Sequence, residues 1–233
     1  MNRQVLIVRP QPGASATAGK AKALGLEPII APLFEVRPLE WKPPVSVPFD
    51  SVLLTSANGA RYGGDGLRAF ANLPCYAVGE ATAKAAREAG FQDVRVGPSD
   101  ATAITAMMVA DGVHFYFHPR GRHHLDFPTL GIGGVGITVY EAEACDVLPE
   151  VARAALAAGA VALIHSPRSG SLLAKLIKDH RSVRIAAISA AAAEAAGQGW
   201  GECRIAAAPR DEPLLELAAK LCQIGGPDPG SGA

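Results

Sequence analysis

Four short turns hold the groups through which this chain can grip an anionic or hydroxyl-bearing ligand. They read Thr55-Ser56-Ala57-Asn58-Gly59, Val78-Gly79-Glu80-Ala81-Thr82, His165-Ser166-Pro167-Arg168-Ser169 and Ile188-Ser189-Ala190-Ala191. Each sets a small or hydroxyl residue just before a helix-forming run, where it caps the helix and leaves other main-chain N–H groups facing outward. Beyond the carboxyl ends of parallel strands, such N–H groups bind carboxylates and phosphates. Ordinary capping explains any single turn. Four turns matched in pairs point to a shared binding face.

Other chemical signals fail on order or spacing. Gly131-Ile132-Gly133-Gly134-Val135-Gly136 has dinucleotide-loop spacing, but it follows a predicted helix and precedes a strand, the reverse of what a pyrophosphate needs. His118, His123 and His124 have no carboxylate or further histidine at helical spacing, so a solvated loop is expected and no metal. His165 and Ser166 are strand neighbours on opposite faces, which argues against a nucleophile–base pair. Cys75, Cys145, Cys203 and Cys222 lie far apart and read as reduced thiols.

The elements that must position these turns occur twice. Val52-Leu53-Leu54-Thr55-Ser56 matches Ala162-Leu163-Ile164-His165-Ser166, and Ala77-Val78-Gly79 matches Ala187-Ile188-Ser189, at an offset of 110. Val8-Arg9-Pro10 aligns with Phe117-His118-Pro119 at 109. A period this long indicates a duplicated domain and not a solenoid. Short apolar runs such as Gln4 to Val8 and Val161 to Ile164 alternate with helix-forming stretches, including Ala57 to Phe70 and one around Gly121 to Leu130. The expected fold class is α/β, with two similar domains, each a parallel sheet flanked by helices. Two irregular stretches, proline-dense Glu35 to Pro48 and polar Glu141 to Pro149, read as linkers without strand pattern. One domain is therefore expected from 1–35 with 145–233 and the other from 38–140, with 225–233 a disordered tail.

Composition removes several classes. The 233 residues carry 22 basic and 22 acidic side chains, so no basic field advertises a nucleic-acid or membrane partner. The apolar run Ile185 to Ala196 is too short to span a bilayer, and no signal-peptide core follows Met1. A cytoplasmic protein is expected.

Val5-Leu6-Ile7-Val8-Arg9-Pro10, Thr55-Ser56-Ala57-Asn58-Gly59, Val78-Gly79-Glu80-Ala81-Thr82-Ala83, Arg120-Gly121, Val139-Tyr140 and Ser166-Pro167 fall in the order seen in uroporphyrinogen-III synthases, and the likeness spans residues 3 to 222. The chain thus resembles that family. The resemblance implies two α/β domains joined by a two-stranded linker, the first built from both chain ends. It implies a cofactor-free lyase that cyclises hydroxymethylbilane, a linear tetrapyrrole with eight carboxylates, to uroporphyrinogen III. The synthase that makes hydroxymethylbilane becomes the candidate protein partner.

By the same resemblance Tyr140 matches the family's cleft tyrosine, a phenol able to assist departure of the substrate hydroxyl. An aromatic residue sealing the hinge is the structural alternative. Substrate binding falls to Ser56, Ala57, Asn58, Gly79, Thr82, Gly121, Ser166, Pro167 and Ser189, largely through main-chain N–H groups. Arg9 and Arg120 are carboxylate partners, or else members of ordinary ion pairs. Where the family reads Ile-Gly-x-x-Thr-Ala, this chain has Ile188-Ser189-Ala190-Ala191-Ala192-Ala193, so Thr82 keeps a hydroxyl that Ala192 lacks. The rivals are a non-catalytic two-lobed binder of small anions and a two-base racemase. The second would need matched thiols or carboxylates at the strand ends, which the two copies lack.

Overall fold

The structure, a computed structural model, describes residues 3–44, 46–97, 100–124 and 126–224. The stretch 225–233, expected to form the tail, lies outside the described residues. The chain divides into two compact units, Met1–Glu35 with Glu143–Ala233, and Val36–Ala142.

The first unit holds a five-stranded parallel sheet made of β1 (Gln4–Ile7), β2 (Glu27–Ile30), β9 (Val161–Ile164), β10 (Arg184–Ala187) and β11 (Glu202–Ile205), in the order β11-β10-β9-β1-β2. All four residues of β9 are buried, as a strand covered on both faces requires. Helices α1 (Gly13–Ala23) and α8 (Asp211–Ile224) pack on one face, where Ala14, Ala18, Ala21, Leu214, Leu215 and Ala218 meet Val5, Ile7, Leu163 and Ala186. Helices α5 (Glu150–Ala157), α6 (Pro167–Leu176) and α7 (Ala190–Ala196) complete the unit. Small side chains let α6 and α7 approach closely: a Cβ on Gly170 would come within 2.7 Å of the Ala192 carbonyl oxygen.

The second unit contains β4 (Ser51–Leu54), β5 (Cys75–Val78), β6 (Val94–Gly97), β7 (Phe115–Gly121) and β8 (Gly133–Ala144), with β3 (Phe34–Pro38) added at the edge, in the order β3-β8-β7-β4-β5-β6. On one face α2 (Ala57–Tyr62), a 3-10 stretch (Gly64–Phe70) and α3 (Glu80–Glu88) cover Val52, Leu54, Cys75 and Phe117. On the other, Ile104 and Met108 of α4 (Ala101–Ala110) pack on Leu53, Tyr76 and Tyr116.

Read from their outer strands, the two sheets run β11-β10-β9-β1-β2 and β6-β5-β4-β7-β8, so the duplication is visible as a repeated strand order. The register refines one alignment. Leu6 lies beside Ala162 and Phe117 beside Val52, and because Val52 and Ala162 are equivalent, Leu6 corresponds to Phe117 at a step of 111, not 109. Arg9 therefore corresponds to Arg120.

Four expectations need correction. The Glu35 to Pro48 stretch opens as strand β3, and Glu141 to Ala144 continue β8, so both crossings are extended strands and not irregular linkers. Leu39 N donates to Val139 O at 2.9 Å and Cys145 N to Leu33 O at 3.0 Å, an antiparallel pairing. The pattern was hidden because ion pairs, here Arg37 with Glu141 at 3.1 Å, replace an apolar face. The helix expected over 57–70 breaks at Gly63-Gly64, where Gly64 has φ +62°. No helix forms around Gly121 to Leu130 among the described residues. Pro128, together with the left-handed Leu130 (φ 52°) and Gly131 (φ 89°), favours a turn there, so the glycine-rich segment that opens β8 follows a loop.

Candidate functional site

In the second unit β4 ends at Leu54 and the chain turns through Thr55 and Ser56 into α2. Ser56 is extended at φ −150° and its hydroxyl accepts from Asn58 N at 3.2 Å, which caps the helix. Ala57 and Asn58 form the first turn and are half-buried. After β5 the chain passes through Gly79 at φ +75°, a conformation suited to glycine, and enters α3. Thr82, expected to bind, is only 5% exposed and packs inside. Its counterpart Ala192 is also buried, so both copies turn this position into the unit.

Gly121 and Tyr140 are partners across β7 and β8, and the phenol ring lies directly on the glycine: a Cβ at 121 would stand 2.7 Å from Tyr140 Cζ. Tyr62 flanks the same ring, with centroids 6.1 Å apart. Just beyond, Glu141 is clamped by Arg122 at 2.7 Å and Arg37 at 3.1 Å, and the hydrogen bonds from Arg122 and then Arg37 hold its carboxyl below the usual range. A cleft of about 420 Å³ is lined by Thr55, Ser56, Val78, Gly121, Phe127 and Tyr140, among others.

Behind this cleft, Thr55 Oγ1 lies 3.0 Å from His118 Nε2. His118 was expected in a solvated loop. Instead it sits in β7, 3% exposed, with Phe127 edge-on at 5.6 Å. Burial, reinforced by the charges of Arg120 and His124, pushes its pKa down to about 3, so the imidazole is neutral and fixes the Thr55 hydroxyl as a hydrogen-bond partner.

In the first unit the equivalent edge is more tightly tied. Ser166 caps α6 through a capping box: its hydroxyl accepts from Ser169 N at 3.2 Å, and Ser169 Oγ accepts from Ser166 N at 3.1 Å, with Pro167 in the first helical position. Ser189 caps α7, accepting from Ala192 N at 3.3 Å. The His165 ring turns away to Asp211, Nε2 to Oδ1 at 3.2 Å. Arg9 Nη1 donates to the same Oδ1 at 3.2 Å and to Thr17 Oγ1 at 3.3 Å, while Thr17 Oγ1 donates to Asp211 Oδ2 at 3.0 Å. Burial opposes the Asp211 charge, but the His165 bond and charge, the Thr17 bond and the Arg9 charge prevail and hold its pKa at about 2. Arg9 is thus the ion-pair member its sequence reading allowed.

No curated protein matches the chain by sequence. Among solved structures, uroporphyrinogen-III synthetase from Helicobacter pylori 26695 is similar at 20% identity over 94% of this chain and 99% of that one, with a TM-score of 0.64. A mutant uroporphyrinogen III synthase from the extremely thermophilic bacterium Thermus thermophilus follows at 17% identity over 95% and 99%, with a TM-score of 0.51. These likenesses establish the fold. The family model described as uroporphyrinogen-III synthase HemD matches residues 15–216. The chain belongs to the uroporphyrinogen-III synthase family. The reaction of a uroporphyrinogen-III synthase is closure of hydroxymethylbilane to uroporphyrinogen III, with inversion of the last pyrrole ring and loss of water, a step of tetrapyrrole biosynthesis.

Set against that synthase reaction, Ser56, Gly121 and Tyr140 line one cleft, with Ala57, Asn58 and Gly79 on neighbouring turns of the same sheet edge. Ser166, Pro167 and Ser189 occupy adjacent strand ends of the other unit. Sequence reasoning passed over Thr55 as an individual residue and over Asp211, and it weighed His118 only as a metal ligand or a loop residue. The signal for His118 was its alternation with Tyr116 and Arg120, which puts three polar-tipped side chains on one face of a strand. Among the described residues no group of three or more side chains is placed to hold a metal, and no helix is long and apolar enough to cross a membrane.

Proposed function

We propose that this chain carries out the family's cyclisation as a cofactor-independent lyase, in the cytoplasm, with Tyr140 assisting departure of the substrate hydroxyl. The phenol O–H donates a hydrogen bond to the leaving hydroxyl, which takes up a proton and departs as water as the C–O bond breaks, while the pyrrole N–H gives up a proton, so that a neutral electrophilic azafulvene remains. The last ring then attacks at its substituted position, and the spiro intermediate fragments and recloses with that ring inverted. The demand on the protein is conformational control of a flexible tetrapyrrole, more than strong acid or base.

The observation that carries this reading is the Tyr140 ring laid on Gly121 beside the fixed Thr55 hydroxyl, in a cleft large enough for pyrrole rings. The turns at Ser56-Ala57-Asn58 and Gly79, and those at Ser166-Pro167 and Ser189, offer main-chain N–H groups to the substrate's carboxylates. The partner that fits this scheme is hydroxymethylbilane synthase, the source of the unstable substrate.

The test is to incubate the chelated and desalted protein with freshly generated hydroxymethylbilane and resolve the product isomers. Uroporphyrinogen III is expected without added metal or nucleotide. Product of the non-inverted isomer alone, or activity that returns only with an added cofactor, overturns the reading.

A further inference from the structure

The pairs β1–β2 and β7–β8 are the same two parallel strands in the two units, yet they are crossed over differently. Between β1 and β2 runs α1, which buries Ala14, Thr17, Ala18 and Ala21 on the sheet. Between β7 and β8 the crossover, Arg122 to Ile132, contains no helix among its described residues. Parallel neighbours ordinarily need a dozen or more residues and a helix to close that connection. The short loop leaves a cavity of about 210 Å³ on the sheet face, lined by His118, Arg120, His124 and Thr129, with one carboxylate, the exposed Asp126, at its rim.

The two equivalent arginines meet opposite fates. Arg9 is satisfied by Asp211 at the start of α8 and by Thr17 of α1. In the second unit no α1 stands over the sheet face. The residue in the place of Asp211 is Ala101, because buried Ile104, Thr105 and Met108 of α4 match Leu214, Leu215 and Ala218 of α8 at a step of 110, and the adjacent Asp100 is spent on capping α4, its carboxylate accepting from Ala103 N at 2.7 Å. Arg120 makes no ion pair among the described residues, and its Nε is buried without a partner. Its guanidinium lies over bare backbone: a Cβ on Gly136 would sit 2.6 Å from Arg120 Cζ. His124 Nδ1 is likewise buried without a partner, while its Nε2 lies 3.6 Å from Asp126, whose side chain is fully exposed. The charges of Arg120 and His124 both bear on His118, which places them together on this face. A buried guanidinium Nε, on a half-buried arginine, and a buried ring nitrogen left unsatisfied are costly, and a ligand that accepts from both removes the cost.

We propose that this cavity binds a small oxyanion, a carboxylate or phosphate, on Arg120 and His124, in the place that the Asp211 carboxylate fills in the sister unit. Two sources share this chemistry. One is a free anion. The other is a side-chain carboxylate of a substrate seated in the neighbouring cleft, with which the cavity shares His124 and Phe127 as lining, and this source rests on the hydroxymethylbilane reading.

Thermal midpoints of the full chain, titrated with inorganic phosphate or propionate against sodium chloride at matched ionic strength, test the first source. A saturable rise in the unaltered protein is expected, lost in Arg120→Gln and in Gly136→Ala, which displaces the guanidinium while keeping its charge, and retained in part by Arg120→Lys. The second source is tested by steady-state kinetics: Arg120→Gln is expected to raise KM for hydroxymethylbilane by about 10- to 100-fold, more than it lowers kcat. A phosphate response with unchanged KM assigns the site to a free anion, and a raised KM assigns it to the substrate. If neither anion produces a saturable shift and both variants, natively folded by circular dichroism, keep the original KM, the proposal is overturned. The anion titration decides even if the chain makes no uroporphyrinogen III.

Discussion

The polar edges of the two units began as one pattern and now differ in what their side chains are committed to. In the first unit, Arg9, Thr17, His165 and Asp211 bond to one another, with Lys20 paired to Glu212 at 2.8 Å beside them. This clasp joins the ends of β1 and β9 to α1 and α8, segments drawn from both ends of the chain. In the second unit the same edge holds Tyr140 over Gly121, Thr55 fixed by a neutral imidazole, and an arginine without a counterion among the described residues. One copy has turned its ionisable groups inward for cohesion, leaving only His165 Nδ1 of the clasp buried without a partner, and the other leaves Arg120 Nε and His124 Nδ1 available to a ligand. Such unsatisfied buried groups are characteristic of functional sites.

The largest effect that can break this contrast comes from Tyr140→Phe. Ring packing on Gly121 and against Tyr62 survives, and only the O–H is removed. If that hydroxyl stabilises the departing oxygen, turnover falls by about 30- to 1000-fold, corresponding to roughly 2–4 kcal/mol in the barrier, with the fold intact. Single-turnover kinetics and the product isomer ratio measure it. An unaffected variant would make Tyr140 a packing residue and leave the second unit's edge without its chemistry.

Asp211→Asn probes the other side, through stability instead of rate. Asp211 titrates at about 2 in the folded chain against about 3.9 in an unfolded one, so the folded state binds fewer protons across that interval. Its contribution is complete above pH 4 and is lost as pH falls toward 2, at roughly 2–3 kcal/mol in total. Asn at 211 is expected to lower the denaturant midpoint at pH 7 by an amount of that order and to flatten the acid limb between pH 4 and 2. Equal acid sensitivity in both proteins would show that the clasp is not what holds the first unit's edge.

The sequence revealed those features that depend on local repetition. Matched turns and apolar strands exposed the duplicated α/β class, and the ordered motifs exposed the family, because strand ends and helix caps are written in consecutive residues. The crossing strands were less legible: β3 and the end of β8 are stabilised by Arg37, Glu141 and Arg122, a polar pattern that resembles a linker until the partners are known. The cleft residues Thr55 and His118 are 63 positions apart, and the Asp211 clasp spans 202, so neither could be read from spacing. Three of the four glycines that imitate a dinucleotide loop, Gly133, Gly134 and Gly136, proved to be the bare strand positions on which Phe115, Tyr116 and Arg120 lie.

The smallest effects separate the two capping serines. Ser166 sits in a reciprocal box with Ser169, whereas Ser56 has one bond, to Asn58. Removing an N-cap hydroxyl costs about 0.5–2 kcal/mol, and Ser166→Ala should fall in the upper half of that range and Ser56→Ala in the lower. The backbone N–H groups remain in both variants, so each is expected to lose less turnover than Tyr140→Phe. The order should reverse for catalysis: Ser56 lines the cleft that holds Tyr140, and its loss loosens the turn beside the reacting groups. Chemical denaturation and kcat/KM measured on the same two preparations give both rankings. If Ser166→Ala proves more harmful to both stability and kcat/KM, the first unit's edge participates in turnover as much as the second, and the division of labour between the copies fails.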